Sequence, residues 1–331
     1  MIIPIMGAIS EAHCTECLWK ARSQVSAQYT VQCAYAYAYY ITLRATNKRN
    51  EMATLHVGKS LKDTDVLWRY LSLEKFIDLV DSKTLFFSPL AWYEKTDPFE
   101  GYVPRVAMDA FAALSNNWRE QQILSIRAAT NLPEQTRQNL LRAMENAESS
   151  IPSMKSLYKN IALTLMVNCW YKSEHESEGM WSLYSRNGLA IKTTVGAIKT
   201  ALISNTQSHT VHIGAVKYID FSKNDLKPAD CVTEDGHIIG MLKRTAYSHE
   251  NEVRMYITRE RKPLELHEPA PTNLEINVGS LLGAIVISPF ADKTTERSIH
   301  TICRWSNINE SIVSRSNLLN NCEDLLDAYK F

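Results

Sequence analysis

Glycine is scarce in this chain, 11 among 331 residues, and its positions never fall into a phosphate-cradling loop. Neither the G-x-G-x-x-G dinucleotide fingerprint nor a G-x-x-x-x-G-K-[ST] loop is present, which argues against a redox nicotinamide enzyme and a P-loop nucleotide hydrolase. An excess of one charge sign is also missing: Lys plus Arg and Asp plus Glu both total 36. With no long run of like charge, a nucleic-acid partner has no electrostatic support. Long apolar runs are absent too. The longest, such as Leu281 to Pro289, are strand-sized and fall short of the about 18 to 20 residues a spanning helix needs, so no membrane partner is expected. The seven cysteines are odd in number and scattered, which fits reduced thiols in a cytoplasm better than a disulfide framework.

What remains is an ordinary globular composition, 45% hydrophobic and 22% charged, sufficient for a large core. Residues 1 to 51 differ from the rest. They are rich in Ser, Thr, Ala and Tyr without a helical period, and Glu11, His13 and Glu16 interrupt any secretory signal. The expectation is a weakly structured N-terminal segment, upstream of a true start at Met52. Cys14 and Cys17 have the spacing of half a zinc site, but only His13 and Cys33 are near as further ligands, and two free thiols are the plainer reading.

From Leu67 onward the pattern predicts strands and helices in mixture. Leu67 to Leu71 reads as a strand, Leu73 to Asp81 as a helix capped by Ser72, and Thr84 to Ser88 as a second strand. Residues 104 to 150 are helical by period, with a restart at Asn131-Leu132-Pro133-Glu134. A further helix follows Ile151-Pro152, then a strand at Leu163 to Trp170. After these the expectation alternates: strand Leu189 to Thr193, helix Val195 to Ile203, strand Val211 to Ile219, helix Ile238 to Tyr247, strand Glu252 to Thr258, strands Leu274 to Val278 and Ala284 to Ser288, helix Thr295 to Trp305. The expected fold is therefore α+β, one domain over residues 52 to 331, with a mixed, mainly antiparallel sheet and a helical insert at 104 to 150.

The stretch His249 to Ile257 carries the most chemical information. Alternation on a strand would set Glu250, Glu252, Arg254 and Tyr256 on one face and Val253, Met255 and Ile257 on the other. Two acids and a base side by side suggest a working site; the same alternation also fits a surface ion-pair ladder.

Four segments in order resemble a bacterial family catalogued as domain of unknown function 2971: Trp68-Arg69-Tyr70, Phe87-Ser88-Pro89 with Asp97-Pro98-Phe99-Glu100, Met180-Trp181-Ser182-Leu183-Tyr184 with Gly188, and Tyr247 to Arg254. Two positions depart from that family's pattern, Thr96 where Asn is usual and Leu183 where a residue such as His is usual. The layout is also similar, remotely, to the ADP-ribosyltransferase fold, and that similarity implies roles for Arg69, Ser88 and Glu252 on three separate strands, with Glu250 completing a Glu-x-Glu pair.

The resemblance implies that NAD is a substrate. Glu252 would stabilise positive charge at the anomeric carbon as nicotinamide leaves, and Glu250, about 7 Å away by strand rise, would orient the nucleophile. Two close acids can split their proton affinities, an effect Arg254 would suppress. Arg69 would grip the diphosphate, and Trp181 or Tyr184 would stack on a ring. The reading is an NAD-consuming enzyme, in the setting of a toxin or phage-defence effector, with an unknown macromolecular acceptor. Two alternatives stay open: a metal-assisted hydrolase or nuclease using Asp97, Glu100, Glu250 and Glu252, and a noncatalytic sensing or adaptor domain presenting the helical insert. Plain competitors also stand beside single residues: a turn at Asp97-Pro98, packing for Trp181 and Tyr184, a strand end at Ser88 and a helix end at His249.

Overall fold

A computed structural model describes residues 55–150, 162–202, 209–258 and 270–320. In chain order the elements are β1 (Leu55–Val57), β2 (Val66–Ser72), α1 (Leu73–Ser82), β3 (Thr84–Pro89), α2 (Arg105–Ala128), α3 (Glu134–Ser150), β4 (Leu165–Lys172), α4 (Glu178–Tyr184), β5 (Gly188–Thr194), α5 (Val195–Leu202), β6 (Val211–Ala215), β7 (Lys217–Ile219), β8 (Leu242–Arg244), β9 (Glu252–Thr258), β10 (Thr272–Glu275), α6 (Val278–Leu281), β11 (Ala284–Ile287), α7 (Lys293–Trp305) and β12 (Val313–Arg315). The class is α+β, with helices packed on a mixed, mostly antiparallel sheet. Among the described residues no helix is long and apolar enough to cross a membrane. The N-terminal segment with its Cys14-x-x-Cys17 pair, and the helix expected after Pro152, lie outside the described residues.

The main sheet runs β1-β6-β9-β4-β2-β5-β11-β12, with β3 and β10 branching from β4. Within this sheet, among the described residues, only β1 with β6 and β11 with β12 pair in parallel. The branch is a fork. One edge of β4 pairs with β2 at Tyr171 and Lys172, and the same edge pairs with β3 at Met166 and Val167. Residues 168 to 170, between the two, pair with neither strand on that edge. Unpaired backbone is costly in an interior, and the Asn168 side chain bridges the gap. Its amide donates to the Phe86 carbonyl at 2.9 Å and its oxygen accepts from the Trp170 indole at 2.6 Å.

One face of the sheet carries the principal core. Leu67, Leu71, Met166, Trp170, Val253, Met255 and Ile257 pack there with Phe76 and Leu79 of α1, Ile198 of α5 and Ile299 of α7. On α1 the buried residues Phe76, Leu79 and Val80 recur at helical spacing, and Lys83 in the left-handed region ends the helix. The N-cap position is Ser72, without a side-chain cap bond. The other face holds Trp68, Tyr70, Trp181 and Ala190 in one cluster, and Leu90, Val167, Met241 and Tyr256 in another.

Two expectations are corrected here. Residues 211 to 219 do not form one strand; β6 lies in the main sheet while β7 pairs in parallel with β8 in a separate two-stranded sheet. Residues 238 to 247 are not helical. Gly240 adopts φ +72°, where an L side chain is strained and a Cβ would meet Leu165 at 2.3 Å, and the chain then turns into β8.

A row of rings crosses β1, β6 and β9 in register: His56 stacks on His212 and His212 on Tyr256, both at 5.0 Å between centroids. His237 stands edge-on to His212 and Tyr256, with its Nδ1 2.9 Å from the Tyr256 hydroxyl. Burial, then the neighbouring His56 and His237, push the His212 imidazole down to about 4. A depressed imidazole stays neutral in the fold while its unfolded counterpart charges below about 6.5, so folding stability is lost as pH falls from that value towards 4. The expected loss is about 3 kcal/mol, read by denaturant unfolding across that range. In His212→Phe, which keeps the stack, most of that slope should vanish; an unchanged slope would assign it elsewhere.

Candidate functional site

The site is built by the turn that precedes β9. Thr245–Glu250 form a tight helical turn, Asn251 takes the left-handed conformation at φ 33°, ψ 54°, and β9 starts only at Glu252. Glu250 is therefore not on the strand, and strand alternation does not place it. From Glu252 the alternation holds: Val253, Met255 and Ile257 enter the core, while Glu252, Arg254 and Tyr256 face the opposite way. That opposite face is buried, not solvated, since Arg254 is only 2% exposed. The surface-ladder alternative is thereby excluded.

Arg254 is the centre of the arrangement. Its Nε and Nη2 donate to Glu252 Oε1 and Oε2 at 2.7 and 2.9 Å, a bidentate grip. Its Nη1 donates to Glu100 Oε1 at 2.7 Å and to the carbonyl of Gly240, the residue whose left-handed turn starts β8. Lys243 on β8 approaches the same carboxylates: its Nζ is 3.3 Å from Glu252 Oε2, 3.7 Å from Glu100 Oε2, and bonded to Glu250 Oε2. Glu250 Oε1 accepts from the Tyr184 hydroxyl at 2.8 Å. The Tyr218 hydroxyl accepts from the Glu252 amide at 2.8 Å, and the Tyr247 ring lies 5.0 Å from the Lys243 ammonium.

Burial alone would drive these groups neutral, and the pairing overrides it. Burial raises the Glu252 carboxyl, but Arg254 and Lys243 bring it down to about 2. Burial likewise works against the Lys243 ammonium, and Glu252, Glu100 and Glu250 hold it above the ordinary lysine value. Glu100 and Glu252 do the same for Arg254. Glu252 is thus a fixed anion at neutral pH.

Arg69 stands at the fork, one residue past the last β2–β4 pair at Trp68. It is half-buried, with its guanidinium carbon 5.6 Å from the Trp170 ring centroid. Burial lowers its affinity for the proton, offset in part by Cys169 and Tyr93. Among the described residues it has no carboxylate partner. Arg69 alternates with Leu67 and Leu71 and pairs with Ile191, so it belongs to the principal-core side of the sheet with Trp170, whereas Cys169 and Tyr93 pack on the side that carries Glu252 and Arg254. Ser88 on β3 is turned to this place, its hydroxyl 2.9 Å from that of Tyr93 and 3.4 Å from the Val167 carbonyl.

The remaining expected residues divide. Tyr184 is half exposed and joined to Glu250. Trp181 is fully buried, edge-on to Tyr70 at 4.8 Å, with its indole donating to Glu176 at 2.7 Å. With no free face, it cannot stack on a ligand and is corrected to a packing residue. Asp97 accepts from Arg244 at 2.7 Å and from the Phe99 amide at 3.0 Å, so it closes a turn and does not enter the cluster. The oxygen set expected for a metal is committed likewise: Asp97 to Arg244, and Glu100, Glu250 and Glu252 to Lys243 and Arg254. Among the described residues no group of three or more His, Cys, Asp or Glu side chains is arranged to hold a metal ion.

The spacing singles out none of Lys243, Tyr218, Tyr93 and Cys169 as a site residue, and Glu100 enters only through the Asp97-Pro98-Phe99-Glu100 segment and as a metal ligand. Lys243 lies inside the stretch 238 to 247 whose pattern predicts a helix. Its neighbour Gly240 was the available signal. Comparison of the chain with family models, curated proteins and solved structures finds no match.

Removing one member of a buried ion cluster strands its partners. Arg254→Met leaves Glu252 and Glu100 with Lys243 alone, and the expected destabilisation is about 3–5 kcal/mol by denaturant unfolding. A loss below about 1 kcal/mol, the range of exposed pairs, would contradict the burial of this cluster.

Proposed function

We propose that this protein consumes NAD⁺ as an ADP-ribosyltransferase-like enzyme, acting in the setting of a toxin or phage-defence effector, with Glu250 as the carboxylate that meets the reacting ribose. The reading is supported chiefly by one observation: a buried ion-pair cluster holds its outermost carboxylate, Glu250, against the half-exposed Tyr184. Cleaving the nicotinamide–ribose bond develops positive charge at the anomeric carbon, and a pre-fixed carboxylate lowers that barrier because it needs no reorganisation. The roles expected from the strand pattern exchange. Glu252 is enclosed with both oxygens gripped by Arg254, so it is a positioning residue, and Glu250, the least enclosed of the three carboxylates, takes the substrate-facing part.

Arg69 fits the diphosphate. It is a cation without a carboxylate partner among the described residues, at the fork where β2 parts from β4. The guanidinium fork matches two phosphate oxygens. Arg254 acts through Glu252 and not on substrate.

The test is nicotinamide release from NAD⁺, followed by chromatography with and without cell lysate as a source of acceptor. The unsubstituted protein should release nicotinamide, and Glu250→Gln should lower kcat by about 100-fold or more with the unfolding transition nearly unchanged. Arg69→Ala should act mainly on KM. Full turnover in Glu250→Gln, or no release and no NAD⁺-dependent rise in thermal stability, would remove the proposal.

A further inference from the structure

The cluster is unequal in charge. Three carboxylates, Glu100, Glu250 and Glu252, share two cations, Lys243 and Arg254. The sharing is also uneven. Arg254 directs Nε and Nη2 to Glu252 and Nη1 to Glu100 and the Gly240 carbonyl, and none of these bonds reaches Glu250. Glu250 has one cation, Lys243, on Oε2, and one neutral donor, Tyr184, on Oε1. Lys243 itself is almost wholly enclosed, and the Tyr247 ring closes another side.

We infer that Lys243 is a positioning residue whose task is to keep Glu250 ionised and aimed at Tyr184, an inference that rests on reading Glu250 as the carboxylate that meets substrate. The groups facing Glu250 are Lys243 from β8, Tyr184 from α4, Tyr218 from β7, Glu252 and Arg254 from β9, and Glu100 from the loop before α2. Removal of the ammonium changes their balance in a definite way. Glu252 and Glu100 keep their guanidinium, whereas Glu250 is left beside two anions with only a phenol. A carboxylate so placed takes up a proton and then donates to Tyr184 where it had accepted. Like charges that cannot all remain ionised are relieved at the group least served by cations, and that group is Glu250.

Two measurements separate this inference from the proposed reaction. In protein carrying ¹³C-labelled glutamate carboxyls, Lys243→Met should move one resonance to titrate about one pH unit or more higher, and Glu250→Gln in the same chain should abolish it. If no resonance moves, or the moving one survives Glu250→Gln and so belongs to Glu100 or Glu252, the inference falls. Nicotinamide release supplies the second reading: the acid limb of its pH profile should rise by about one unit or more in Lys243→Met and return in Lys243→Arg. A moved resonance with no turnover in any form would uphold the role of Lys243 and remove the NAD⁺ reading. Should Lys243→Met not fold, Glu250→Gln in that chain should restore folding by removing the stranded charge; failure of that rescue overturns the inference.

Discussion

The bidentate grip of Arg254 on Glu252 is the contact on which the polar face of the sheet depends. Both side chains come from one strand and are two residues apart, so β9 needs no distant partner to bring them together. What they require is a lid that keeps water out and supplies further partners for the guanidinium. Glu100 arrives from a turn closed by Asp97, and the Gly240 carbonyl from the turn into β8. Each of those segments is tied down independently. Arg244 holds Asp97, and β8 pairs along β7. The ion cluster thereby ties the distant Glu100 turn to two neighbouring segments, the turn into β8 and the start of β9.

A second constraint is the fork in β4. An eight-residue strand that serves β2 at one end and β3 at the other opens a gap where neither is bonded to it. Asn168 makes that gap tolerable by replacing ladder bonds with side-chain bonds to Phe86 and Trp170. The gap opens at Arg69, where β2 parts from β4 while staying paired with β5. On the other edge of β4, Cys169 pairs in register with Arg254 of β9.

Much of this was legible beforehand because it depends on local periodicity. The strands β2, β3, β5, β9 and β11, the helix α1, and the helical insert with its break near Pro133 follow from spacing alone. So does the alternation of Glu252, Arg254 and Tyr256. What could not be read depends on single backbone angles or on long-range approach. Asn251 at positive φ removes Glu250 from the strand, and although Asn favours that region more than most residues, the alternation on either side of it reads as one continuous strand. Gly240 at positive φ turns an apolar run with helical spacing into a short strand, which hid Lys243. Glu100 reaches Arg254 across 154 positions of sequence, a contact no motif encodes. Trp181 and Tyr184 show the limit from the other side. Three apart on one helix, they are equivalent as a pattern, yet one is sealed in the core and the other half exposed.

Buried charge clusters are weak evidence of stabilisation in themselves. Well-packed apolar residues of similar volume often serve stability as well or better, because desolvating each ion costs several kcal/mol before any attraction is counted. A cluster present only to hold segments together would be expected to balance its charges and close itself off. Here Arg254 and Lys243 with Glu252 and Glu100 satisfy that description, and Glu250 does not. Glu250 adds a third carboxylate to two cations and carries the cluster outward to a half-exposed tyrosine. Stability does not account for that extra carboxylate, because omitting it would leave the inner pairs intact. Presentation of a fixed negative charge at the edge of a low-dielectric interior does account for it, since such a charge acts with little screening on a cation formed beside it.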